Sequence, residues 1–154
     1  MSKRIGKEKS KGPRNLQVKM SSINIIESNL RAPIKVKSPK YNFDITVDSK
    51  ADSANNLVLI KTKIVLRLED SDNLMGSIIV DYIFQFEDFS GVVEFSNKKA
   101  AKINEDIVLW LGTIAVSTSR GILYERFRGT HLGGAILPMI DMSNFKKAPK
   151  DQKQ

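Results

Sequence analysis

Cysteine is absent from the 154 residues. No disulfide framework and no thiolate metal site can form without it. Histidine occurs once, at His131, beside the glycine pair Gly133-Gly134. A single imidazole does not make a metal site, and no second histidine or cysteine stands near it. The sequence has no GxxxxGK[ST] loop and no GxGxxG turn following a strand, the two patterns whose backbone amides cradle phosphates. Asp70 and Asp72 lie in a turn-like stretch, but the remaining ligands of a calcium loop are missing. Ser117-Thr118-Ser119 offers hydroxyls without a general base at a useful spacing. No uninterrupted apolar run reaches the roughly 18 residues of a membrane span. Met1 to Arg14 lacks the apolar centre of a signal peptide. These absences lead us to expect a soluble, cytoplasmic chain that is not an enzyme, holds no cofactor or metal and inserts in no membrane.

The net charge of +8 invites a nucleic-acid reading until it is located. Residues 1–14 contribute +5 and residues 146–154 contribute +3, so residues 15–145 carry no net charge. Basic tails of this kind are usually disordered and solvating. They can attract polyanions by counterion release. The central part offers no matching bias, so nucleic acid is not expected as the main partner. We divide the chain into a basic tail at 1–14, one folded domain at 15–145 and a second basic tail at 146–154. A mass of 17.3 kDa suffices for one core.

What is present centres on Asn104 to Phe145. The apolar run to Phe127 has helix signals at both ends. Asn104 suits an N-cap, and Glu105 and Asp106 suit the positive end of the dipole. Arg126 and Arg128 suit the negative end, and Gly129 suits the positive-φ residue beyond it. At 100° per residue, Leu109, Val116, Leu123 and Phe127 form one apolar line. Ile107, Leu111, Ile114 and Ile122 form a second, roughly opposite, with Thr113, Ser117, Arg120 and Arg128 between them on one flank. One sheet covers only one face. We therefore expect the second line to contact another subunit, the bland alternative being a helix sunk deep in its own domain.

Upstream the period is two. Leu16, Val18 and Met20 alternate, and Ile23 and Ile25 continue out of phase, which predicts a bulge at Ser21-Ser22. Tyr41, Phe43, Ile45 and Val47 alternate with polar residues in a second strand. Leu57 to Glu69 and residues 75–88 form a third and a fourth, joined by a hairpin at Asp70 to Asn73. Both have mixed outer faces. Phe89, Val92, Val93 and Phe95 cluster in the connection to the helix, either plugging a sheet edge or bordering a groove. Ala135 to Ile140, interrupted by Pro138, is expected as an extended strip across the sheet or along the helix. The fold class is α+β, with a four-stranded antiparallel sheet packed on one long C-terminal helix.

Arg128-Gly129-Thr130 is followed eight positions after Thr130 by Pro138, then by Ile140-Asp141 and Phe145. Together with four strands and a long helix, this resembles the SecB family of export chaperones and the SecB-like proteins related to it. The resemblance spans about residues 15–145. It implies tetramers built as dimers of dimers, with the long helices in the interface. It also implies ATP-independent holding of unfolded polypeptides in apolar grooves. Those grooves would be lined here by Phe84, Phe86, Phe89, Val92, Phe95, Leu137, Met139 and Met142.

Two departures matter. The family's second helix begins near the position matching Phe145. Lys146-Lys147-Ala148-Pro149 follows here, so that helix is expected to be missing or reduced to a turn. The export chaperones are acidic, with a tail that engages the SecA motor, and this tail is lysine-rich. The partners implied are unfolded polypeptides, further copies of the chain, and either a translocase motor or an antitoxin. A different class remains open: an adaptor dedicated to one folded partner.

Overall fold

A computed structural model describes residues 16–95 and 101–142, the side chains of Phe95 and Ala101 excepted. The basic segments 1–14 and 146–154, Phe145 and the expected loss of a second helix fall outside these residues.

Four long strands form one antiparallel sheet: β1 (Val18–Leu30), β2 (Tyr41–Asp52), β3 (Leu57–Leu68) and β4 (Leu74–Phe86). Their order is β1-β4-β3-β2, so the connection from β1 to β2 crosses the whole sheet. The alternation written in each strand becomes an inner and an outer face. Val58, Ile60, Ile64 and Leu66 of β3 and Ile78, Val80, Tyr82, Phe84 and Phe86 of β4 are buried on the inner face. Burying each large apolar side chain contributes about 1.5–3 kcal/mol. In β1 the pairing with β4 slips between Met20 and Ser22, where the sequence predicts it, and slips again between Ile25 and Glu27. The second slip went unpredicted because Ile26 extends an apolar run and so hides the change of phase.

A small hairpin absent from the sequence reading follows, β5 (Val93–Phe95) with β6 (Ala101–Ile103). It converts part of the apolar cluster at 89–95 into structure. Val92 and Val93 are buried, Phe89 lies edge-on to Phe86, and Asn104 N–H donates to the Val92 carbonyl.

Helix α1 (Glu105–Phe127) starts where expected: Asn104 Oδ1 accepts from Asp106 N–H at 2.9 Å. Gly129 stands at φ 77° just past its end. The helix lies over β3 and, less extensively, β4. Gly112 lets it approach closely, since a Cβ there would meet Met142 Cε at 3.0 Å and Val47 Cγ1 at 3.7 Å. Ser119 Oγ sits in a buried polar contact with Thr62 Oγ1 at 2.9 Å and Tyr82 Oη at 2.6 Å. Length and hydropathy alone would let α1 cross a membrane, although polar residues break its apolar run.

The two-faced reading of α1 requires correction. Ile107 and Leu111 are buried within this one chain, and Ile114 and Ile122 are half-buried against the same core. The lines Ile107–Leu111 and Val116–Leu123–Phe127 are the two borders of one wide buried arc centred near Ala115 and Ser119. The C-terminal strip adds to that core. Leu132, Ala135, Leu137 and Met142 are all buried. Leu132 lies near Gly76 and Phe127 at one end of the helix, and Met142 reaches Gly112 further back. The strip therefore runs back along the helix, as one of the two placements expected for it.

Candidate functional site

The expected groove residues divide sharply. Phe84, Phe86, Phe89, Val92, Leu137 and Met142 are in the core of the protomer. Buried in this conformation, they cannot line an open groove. Met139 alone is presented to solvent, at 87% exposure. The side chain of Phe95 falls outside the described residues.

Apolar surface is nevertheless left open, in places set by the sheet order. β1 is an edge strand, and α1 sits over the strands beyond it. Ile23 pairs with Tyr82, Ile25 with Val80 and Leu30 with Gly76, so these side chains share the inner face. Past the half-buried Val18 and Met20, no described residue covers them, and Ile23, Ile25, Ile26 and Leu30 are exposed. A long apolar edge of this kind is a template for another strand. The crossing that follows exposes Ile34 and Val36 as well.

The second open surface is the outward side of α1. Trp110 and Tyr124 are 44% and 50% exposed, two turns either side of Ser117. Thr113, Ser117 and Gly121 lie exposed between them. Thr113 Oγ1 donates back to the Leu109 carbonyl at 2.8 Å. The residues expected at a subunit contact, Ile107, Leu111, Ile114 and Ile122, lie on the buried or half-buried side, whereas the outward side carries the spacing Trp110, Thr113, Ser117, Gly121 and Tyr124, large residues framing small ones. Ile136 and Met139 of the strip make a third exposed apolar surface.

The outer face of the sheet is half-buried and mixed. Leu59 pairs with Ile83 and Lys61 with Asp81 across β3 and β4. Lys61 Nζ lies 3.7 Å from Asp81 Oδ1, and Arg67 Nε lies 3.2 Å from Asp44 Oδ2. An open depression of about 510 Å3 lies at the β2–β3 turn, lined by Lys50, Ala51, Asp52, Ser53, Leu57, Leu59 and Ile83. Asx-type hydrogen bonding shapes its rim. Asn55 Nδ2 donates to Asp52 Oδ2 at 2.8 Å, and this bond leads in holding the Asp52 carboxyl below the usual carboxylate range.

None of these surfaces converges reactive groups. Among the described residues no three potential metal ligands cluster. His131 is exposed at the turn past the helix, and Thr118 Oγ1 donates to the Ile114 carbonyl rather than to a base. The perturbed hydroxyl, Tyr82, is raised above its usual value near 10, first by burial, with Ser119 and Thr62 opposing. It is enclosed and structural.

No protein-family model and no curated protein matches the sequence. Among solved structures, the chain is similar to the Mycobacterium tuberculosis Rv1957 SecB-like chaperone in complex with a ChAD peptide from the Rv1956 HigA1 antitoxin. The TM-score is 0.57 at 13% identity, over 80% of this chain and 89% of that one. A protein of unknown function from Streptococcus agalactiae aligns with a TM-score of 0.42 at 15% identity, over 74% of this chain and 90% of that one. The first likeness shows that the four-stranded antiparallel sheet with its long C-terminal helix is a SecB-like fold.

Proposed function

We propose that this chain is a SecB-like chaperone that holds non-native polypeptides without nucleotide, in the cytoplasm. One observation carries the reading. On a SecB-like fold, the protomer leaves aliphatic side chains exposed along the β1 edge, at Ile23, Ile25, Ile26 and Leu30, while its interior is already complete. Contiguous apolar surface of this kind marks an interaction site. Aliphatic pockets beside an open strand edge accept many sequences, because backbone hydrogen bonds supply part of the affinity.

The same protomer is proposed to self-associate through the outward side of α1, around Trp110, Ser117 and Tyr124. Ile107 and Leu111 are buried within the chain, which favours the outward residues in their place. That the SecB-like neighbour binds an antitoxin peptide favours an antitoxin-type client over a translocase motor, as does the lysine-rich ending. A second reading, an adaptor for one folded partner, draws support from the burial of Phe84, Phe86 and Phe89, which narrows the surface open to guests.

The test is suppression of aggregation of a chemically denatured test protein, without nucleotide, at near-stoichiometric amounts. Suppression is expected for the full chain and for a chain lacking residues 1–14 and 146–154. Failure of the full chain to bind any denatured protein, together with capture of a single folded partner, would replace the chaperone reading by the adaptor. If the tails instead drive nucleic-acid binding, their deletion abolishes it and leaves holding intact.

A further inference from the structure

The open depression of about 510 Å3 at the β2–β3 turn lies on the outer face of the sheet. Its floor is apolar. Leu57 and Leu59 of β3 and Ile83 of β4 are each half-buried, alternating with the inner-facing Val58, Ile60 and Phe84. The turn that forms its rim is fastened to β4 twice: Gln85 Nε2 donates to the Asn55 carbonyl and Phe86 N–H donates to the Asn56 carbonyl, both at 2.9 Å. The depression is therefore preformed, as small-molecule sites usually are. Two of its lining residues, Lys50 and Asp52, are charged, and they differ. The Asp52 carboxylate is engaged by the turn, Oδ1 accepting from Ala54 N–H at 3.2 Å and Oδ2 from Asn55 Nδ2 at 2.8 Å. Lys50 is exposed and is in no ion pair with a described residue. Lys61, the nearest cation along the outer face of β3, is already held by Asp81. Register places Lys50 opposite Leu59, and Leu59 opposite Ile83. A free cation thus ends a row of two aliphatic side chains across β2, β3 and β4, a span of about 9.5 Å at the usual strand spacing.

We propose that this depression binds a medium-chain aliphatic carboxylate, with its head on Lys50 and its tail across Leu59 and Ile83. The Lys50 ammonium donates to the carboxylate in a charge-assisted hydrogen bond. The tail removes half-exposed aliphatic surface from water. An extended chain of about eight carbons matches the span of the row. A cationic amphiphile would set its head against Lys50 and be repelled. A carboxylate too short to reach Ile83 forgoes most of the apolar contact. The last residue of another protein also joins a carboxylate to an aliphatic side chain, but a leucine side chain crosses one strand spacing rather than two and fills the row less well. The site is separate from Ile23 and Ile25, which belong to the inner face, and it does not depend on the polypeptide-holding reading.

The experiment is calorimetric titration of the full chain with octanoate, octylammonium and butyrate. Octanoate is expected to bind about fivefold more tightly than octylammonium, through the head. It is expected to bind about tenfold more tightly than butyrate, through four further methylenes on a half-open floor. Lys50→Glu should reverse the order of octanoate and octylammonium. Lys50 is exposed and outside any ion pair with a described residue, so the variant's unfolding midpoint should stay where it is. Ile23→Asp with Ile25→Asp should leave octanoate binding intact, which separates the depression from the β1 edge. Butyrate binding as tightly as octanoate would reduce the site to bulk charge and overturn the proposal. Octylammonium binding as tightly would reduce it to apolar adhesion and overturn it as well. An unchanged order in Lys50→Glu, or loss of octanoate binding in the Ile23 and Ile25 variant, would place the ligand elsewhere and overturn it too. A leucine-terminated peptide that binds where octanoate does not would give the depression to a protein C-terminus instead. Aggregation suppression is a separate readout, and its absence bears on the chaperone reading alone.

Discussion

Ser119 shows how much one polar atom decides. It is fully buried on the helix face over the sheet, and its Oγ is shared by Thr62 and Tyr82. Ser119→Ala leaves two buried hydroxyls without their common partner, at a cost of about 1–3 kcal/mol. Denaturant unfolding should show that loss in the midpoint. Replacing Ser119, Thr62 and Tyr82 together by Ala, Val and Phe should recover much of it, because no polar atom is then left unmatched. Tyr82 adds a pH dependence. Burial raises its folded-state value above the usual value near 10. Its contribution to stability is therefore complete below about 10 and is lost as pH rises through the raised value. Tyr82→Phe should abolish that alkaline loss and remove the latest step in the tyrosinate absorbance titration.

At the scale of the element, α1 carries two separable tasks. Its inner arc docks on β3 and β4, while its outward side is a candidate contact between copies. Gly121 distinguishes the two. A Cβ there meets nothing within 4 Å, and the residue lies on the outward side in mid-helix. Gly121→Ala should raise stability by about 0.5–1 kcal/mol in dilute protein, since alanine is the better helix former. If two helices pack through Thr113, Ser117 and Gly121, the same methyl should also weaken or shift association. Thermal unfolding and sedimentation measured on one sample read both effects. A gain in stability with unchanged mass would place the contact elsewhere. Asn104→Ala should cost about 1 kcal/mol through the lost cap alone, with no effect on association.

At the scale of the whole molecule, the question is what lies against the β1 edge. Ile23→Asp with Ile25→Asp puts charge on exposed positions, so the monomer's core is spared. Aggregation suppression should fall several-fold, with unfolding midpoints little changed, since exposed substitutions usually stay within about 0.5 kcal/mol. Retention of full suppression would move the holding surface off this edge. Charge on a strand edge should also block edge-to-edge pairing, so light scattering should be recorded alongside.

Much of the architecture could be read directly from local chemistry. Strict alternation in Tyr41–Val47, the phase slip at Ser21-Ser22, and Asn104 and Gly129 at the helix ends each act through neighbours in the chain. All four are realised. The sequence thereby determined the strands, the helix and the α+β order. It did not determine which apolar residues stay in water, because exposure depends on segments distant in sequence. Ile107 and Leu111 looked available, yet the folded chain buries both. Ile23 and Ile25 belong to the inner row of the sheet, yet the strand order places β1 at an edge the helix does not reach. Periodicity says which side chains share a face, and only the tertiary structure says whether anything lies against it.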